Sequence, residues 1–157
     1  MNWATTLRVP ATLHLSDGGE IAGAIHVQSA VAHHPGPETV VEMLNRAEPF
    51  LVLSLDEDGV RFIPKAQVAL VEYAPGAEEG DAVEEDGRRS VAKPLTLEVE
   101  MMVTARVIEG VVAAELPPHR ARAQDFLNDG GAFFPLLVDS TLWAVHRTHI
   151  RSVRPVD

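Results

Sequence analysis

The order of landmarks along this chain is written twice, and that limits what it can fold into more than any single motif does. An apolar strand carrying Ile21, Gly23, Ile25 and Val27 has its match in Ile108, Gly110, Val112 and Ala114. Each is followed by a Pro-containing break and a short helical pattern, ending in Leu44-Asn45 and in Leu127-Asn128. Phe50 and Phe133 then open the next strands, Phe50 to Asp56 and Phe133 to Asp139, at a constant offset from the Leu-Asn pairs. Each copy closes with a strand pair, Val60 to Val71 and Leu142 to Val153. The implied organisation is a first β-rich repeat over 1–74, an acidic flexible spacer or long loop over 75–94, and a second β-rich repeat over 95–157. The competing reading is one continuous barrel whose strands share only the general grammar of β structure.

Alternation of apolar and polar residues identifies the strands. Val9, Ala11, Leu13 and Leu15 share one face opposite Thr12 and His14, and Asp17-Gly18-Gly19 supplies a hairpin turn into Glu20 to Val27. Leu95, Leu97, Val99, Met101 and Val103 alternate with Thr96, Glu98, Glu100, Met102 and Thr104, which predicts one dry and one wet face. Pro10 removes a ladder donor, so the first strand is expected to lie at an edge there. Short helices are expected at Val40, Val41 and Leu44, with Pro37 in the first turn, and at Ala123, Phe126 and Leu127, stopped by Gly130-Gly131. Neither helix is stable alone, so each must dock on a sheet. Asn45 and Asn128 are expected to end them, because Asn tolerates left-handed geometry.

A chain of 157 residues, 46% hydrophobic, can bury a core. A single repeat of about 65–75 residues would be marginal, so the two are expected to pack together as a pseudo-dimer. No run of apolar residues is long enough to span a bilayer and the start resembles no signal peptide, so a cytoplasmic protein without membrane insertion is the expectation. The absence of cysteine removes disulfides, thiol catalysis and cysteine metal sites.

The net charge of −10 divides into −5 for residues 1–74 (nine acidic, four basic), −3 for 75–94 (six, three) and −2 for 95–157 (eight, six). Such a surface repels phosphate backbones, and nucleic-acid binding is not expected. Local positive charge gathers in the second repeat, at His119-Arg120 with Arg122 and at His146-Arg147, His149, Arg151 and Arg154.

The stretch Leu13-His14-Leu15-Ser16-Asp17-Gly18-Gly19-Glu20-Ile21-Ala22-Gly23-Ala24-Ile25 resembles the opening hairpin of Sm-like small β-barrels, in which a strand, an Asp-Gly turn and a bent Gly-containing strand recur. Leu142 to Val153 is similar to that family's closing strand pair. The resemblance implies a mainly β fold with short helices, built as two Sm-like barrel or half-barrel repeats. It implies no RNA site, because a helical insertion replaces the base-binding loop, and Lys65-Ala66 and Arg147-Thr148 replace the closing Arg-Gly. The strand, helix and Leu-Asn pattern is also similar to bacterial duplicated β-rich domains that carry no known activity.

No Gly-rich phosphate loop, HExxH helix or GxSxG elbow is present. His146 and His149, three apart in a strand, point to opposite faces and share a metal only if a tight turn separates them. His33-His34 lie in a Pro/Gly-rich loop and read as solvent-exposed. The carboxylates of Asp56-Glu57-Asp58 and Glu84-Glu85-Asp86 lie in predicted loops without an acid/base companion. No catalytic, cofactor or metal residue is assigned. The expectation is a non-catalytic protein-interaction or scaffold module with a protein partner or self-association, its anchors Phe133, Phe134 and Trp143 if these are exposed. The alternative is a regulatory domain binding a small anionic ligand, in which Arg120, Arg122, Arg147 and Arg151 converge.

Overall fold

The computed structural model describes residues 6–57, 59–74, 95–112 and 121–156; the side chains of Ala121 and Arg122, the spacer at 75–94 and Arg120 lie outside the described residues. Ten strands and two helices follow in the order β1 (Thr6–Leu15), β2 (Glu20–Gln28), α1 (Val40–Leu44), β3 (Phe50–Leu55), β4 (Gly59–Pro64), β5 (Val68–Tyr73), β6 (Leu95–Met101), β7 (Val107–Val112), α2 (Ala121–Asn128), β8 (Phe133–Val138), β9 (Thr141–His146) and β10 (Ile150–Val156). Single 3-10 turns, Lys65–Gln67 and Arg147–His149, split each closing strand pair. The fold is mainly β with short helices.

All ten strands form one antiparallel sheet, ordered β10-β6-β7-β8-β9-β5-β1-β2-β3-β4. The sheet does not close, and β4 and β10 are its two ends. The first five strands and the last five meet where β5 pairs with β9, Leu70 facing Val145 and Tyr73 facing Leu142. Within each half the registers match position for position. Gly23 faces Ala11 as Gly110 faces Leu97. Leu13 faces Val71 as Val99 faces Val153. Ala24 faces Ser54 as Val111 faces Leu137.

The two glycines explain the short β2–β3 and β7–β8 ladders. A Cβ on Gly23 would stand 2.7 Å from the Ser54 carbonyl oxygen, and one on Gly110 would stand 2.7 Å from that of Leu137. Each strand passes its neighbour too closely for a side chain, which is why glycine is needed there. Pro10 lies in an inner strand, but the β5 pairing begins only at Ala11, so the missing N–H interrupts no described pairing with β5.

Three expectations are corrected in detail. β6 ends at Met101, not at Thr104, because Thr104 and Ala105 adopt positive φ and turn the chain, leaving Met102 exposed. Pro37 precedes α1, whose N-cap is Thr39. The Thr39 hydroxyl accepts from the Glu42 N–H while the Glu42 carboxylate accepts from the Thr39 N–H, a capping box legible in the sequence as Thr-x-x-Glu. Asn45 caps the end of α1 with φ −85°, not in left-handed geometry.

Two apolar clusters fill the molecule, and each takes residues from both halves. The first unites Leu13, Ile25, Val40, Met43, Leu44, Leu53 and Val71 with Phe133, Leu142 and Ala144. The second unites Leu97, Val99, Met101, Leu136 and Val145 with Ala69 and Leu70.

Candidate functional site

The junction between the halves shows what this fold does with an edge hairpin. Antiparallel partners share a face, so Phe133, Pro135 and Leu137 on β8 lie with His146, Ala144 and Leu142 on β9. That face closes over the first core, leaving Phe133 2%, Leu142 1% and Ala144 0% exposed. Polar groups fix it in place. The Asn45 amide donates to the Phe133 carbonyl at 3.0 Å and accepts from the Phe133 N–H at 2.8 Å. His146 Nδ1 donates to the Val68 carbonyl at 2.8 Å, and His149 Nε2 donates to that of Ala66 at 2.8 Å. The Phe133 and His146 rings stack at 4.3 Å. His146 and His149 therefore do approach each other, rings 4.8 Å apart, because a 3-10 turn and not a strand joins them. Each has one ring nitrogen engaged with a carbonyl of the first half. Burial pushes the His146 pKa down against the hydrogen bond to Val68, and repulsion from His149 pushes it further the same way.

At one end of the sheet, β3 and β4 form the matching hairpin, with no cover among the described residues. Phe50, Val52 and Ser54 on β3 share a face with Pro64, Phe62 and Val60 on β4. Phe50 is 52% exposed, Val60 50% and Phe62 66%. The reverse face holds Leu51, Leu53 and Ile63 in the core. Three large apolar side chains thus lie together on a terminal hairpin, and among the described residues no strand pairs with the outer side of β4.

The residues expected to make contacts behave otherwise. Phe133, Phe134 and Trp143 are buried, so the exposure on which a role as surface anchors depends is not met. Phe134 packs edge-on against Phe126 under the Arg147 guanidinium, and Trp143 lies beneath Arg106. Arg147 is spent on the end of α2, donating to the carbonyls of Phe126, Leu127, Asp129 and Gly131. Arg151 lies on β10 against Glu100. The two described arginines of the proposed anion pocket thus have separate intramolecular partners. Among the described residues the aromatics that are largely exposed are Phe50 and Phe62, and they had one sequence signal: Val60, Phe62 and Ile63 make β4 apolar on both faces.

Near the start of α1, His33 and His34 both donate to Glu42, His34 at 2.7 Å. One atom from each of the three lies within 4.8 Å of the others, and two imidazoles with a carboxylate are a donor set that zinc-class cations accept. Without a cation the cluster is an ionic latch between the loop and the helix. Burial raises the Glu42 pKa, but the Thr39 N–H, His34 and His33 outweigh it and hold the carboxyl at about 2. The hydrogen bond to Glu42 raises the His34 pKa.

His26 and Ser54 form a cross-strand pair, Nε2 to Oγ at 2.7 Å. Ser54 is paired on both sides, with Ala24 of β2 and with Val60 of β4. A reacting carbonyl needs donors aimed at its developing negative charge, and a ladder directs its N–H groups at neighbouring strands.

No protein family, curated protein or solved structure matches the chain. No helix among the described residues is long and apolar enough to cross a membrane.

Proposed function

We propose that this protein is a non-catalytic interaction or scaffold module, built from two Sm-like β-rich units and presenting the β3–β4 face to a protein. The observation that carries this reading is the solvent exposure of Phe50, Val60 and Phe62 together on a hairpin whose outer strand has no further neighbour among the described residues. The matched registers and the 3-10 turn before the last strand of each half support reading the halves as two copies of one unit. Fold resemblance gives no activity by itself, so the function rests on the surface.

Phe62→Asp places a charge at the centre of the face without touching the core. The tagged protein and this variant are to be compared by capture from cell extract followed by mass spectrometry. A stoichiometric protein held by the parent and lost by the folded variant supports the module. Equal capture by both would remove the β3–β4 face from the function.

A further inference from the structure

We infer that the β3–β4 face is covered by a second copy of this chain, whose β10 lies beside β4 as β5 lies beside β9. The inference rests on reading the protein as an interaction module and names its partner. Its basis is positional. Phe50, Val60 and Phe62 stand in the register of the first half where Phe133, Leu142 and Ala144 stand in the second. The latter three are buried in a core that the other half supplies, α1 and β5 among its contributors. The former three are exposed because β4 ends the sheet.

The covering surface has its own open counterpart. Where α1 offers buried Met43 and Leu44, α2 offers Phe126 and Leu127, which are only partly buried. Where β5 offers buried Val71, β10 offers partly buried Val153. One end of the molecule therefore carries the uncovered hairpin and the other an unused copy of what covers it. Such a contact joins unlike surfaces, head to tail, and propagates into a ring or a filament.

Transferring the junction register makes the inference specific. Val71 opposite Ala144 becomes Val153 opposite Phe62, and Glu72 opposite Trp143 becomes Arg154 opposite Arg61. Arg154 already holds Glu98 at 2.6 Å, which reduces repulsion from Arg61. Two junction contacts do not transfer. Pro64 stands where His146 does and has no side-chain N–H to match the His146 bond to the Val68 carbonyl. A Cβ on Gly131 would come 2.5 Å from the Asn45 amide, and Glu48 occupies the position matching Gly131. Asn128 is accordingly assigned no clamp; its amide donates to the Gln124 carbonyl.

The test is sedimentation equilibrium over a wide concentration range, joined to cross-linking in this naturally cysteine-free chain. The parent is expected to exceed its 17.0 kDa monomer mass with rising concentration, and Phe62→Asp to remain monomeric. Arg61→Glu, which sets a carboxylate opposite Arg154, is expected to tighten association by about tenfold. An oxidised mixture of Phe62→Cys and Val153→Cys chains should give a covalent dimer that neither variant gives alone. A monomeric parent at every concentration overturns the inference, as does efficient cross-linking of Phe62→Cys with itself, which would mean β4 pairs with β4. Unchanged association of Arg61→Glu overturns the register. A monomeric parent that still captures a different protein, and loses it in Phe62→Asp, leaves the module standing and removes the second copy as its partner.

Discussion

Lys65 and Arg147 show how single residues hold this fold together. Each follows the fourth strand of its half and turns back onto the end of the preceding helix, where backbone carbonyls lose the i+4 donors of a helix interior. Lys65 is buried and donates to the carbonyls of Met43 at 3.0 Å and Arg46 at 3.1 Å. Arg147 serves the end of α2 in the same way. Lys65→Met keeps the length of the stem but leaves both acceptors without that donor, and should lower stability by about 1–3 kcal/mol in urea unfolding. His146 gives a pH-dependent counterpart. Its pKa is depressed in the folded state, so the neutral ring contributes stability that is fully present above the ordinary value of 6.5 and is lost as pH falls through the lower folded value. The stability gap between the parent and His146→Gln, measured by thermal unfolding from pH 7.5 downward, should therefore narrow below about pH 6.5. His34 has the opposite sign. Its raised pKa gives stability present below 6.5 and lost as pH rises through the folded value.

At the scale of elements, the bent strands β2 and β7 determine the shape. Gly23 and Gly110 let each pass directly over a carbonyl of the next strand, and a backbone oxygen cannot yield as a side chain would. Gly23→Val or Gly110→Val should cost about 3 kcal/mol or more, read as a lowered denaturation midpoint. A melting temperature unchanged in either variant would contradict the close approach. The two positions were identifiable in the sequence because each glycine stands two residues from a β-branched residue on either side, Ile21 and Ile25 about Gly23 and Ile108 and Val112 about Gly110, on one alternating face. The docking of α1 was only partly legible. Its apolar stripe and capping box are local patterns, whereas the reach of Asn45 to Phe133 joins residues 88 apart in sequence and has no local signature.

For the whole molecule, the exchange of residues between the two clusters makes the halves interdependent. Phe133 belongs to the strand order of the second half and to the core of the first. Phe133→Ala should cost about 3–5 kcal/mol, and the loss should appear as one cooperative transition, with tryptophan fluorescence and far-ultraviolet circular dichroism coinciding. Separate transitions for the two signals would show that the halves unfold independently.

Local patterns in the sequence determined the elements: alternation set the strands, glycine and Asp-Gly marked the bends and turns, and apolar spacing set the two helices. These depend on backbone geometry over a few residues, so they can be read without knowing the fold. Tertiary structure alone decided which aromatics face water. Phe50 and Phe133 open matching strands, yet one is exposed and the other buried, because the second hairpin packs its face into the core of the first half while no described residues cover the face of the first hairpin. Burial is a property of what packs on a residue from elsewhere in the chain, and no local pattern encodes it.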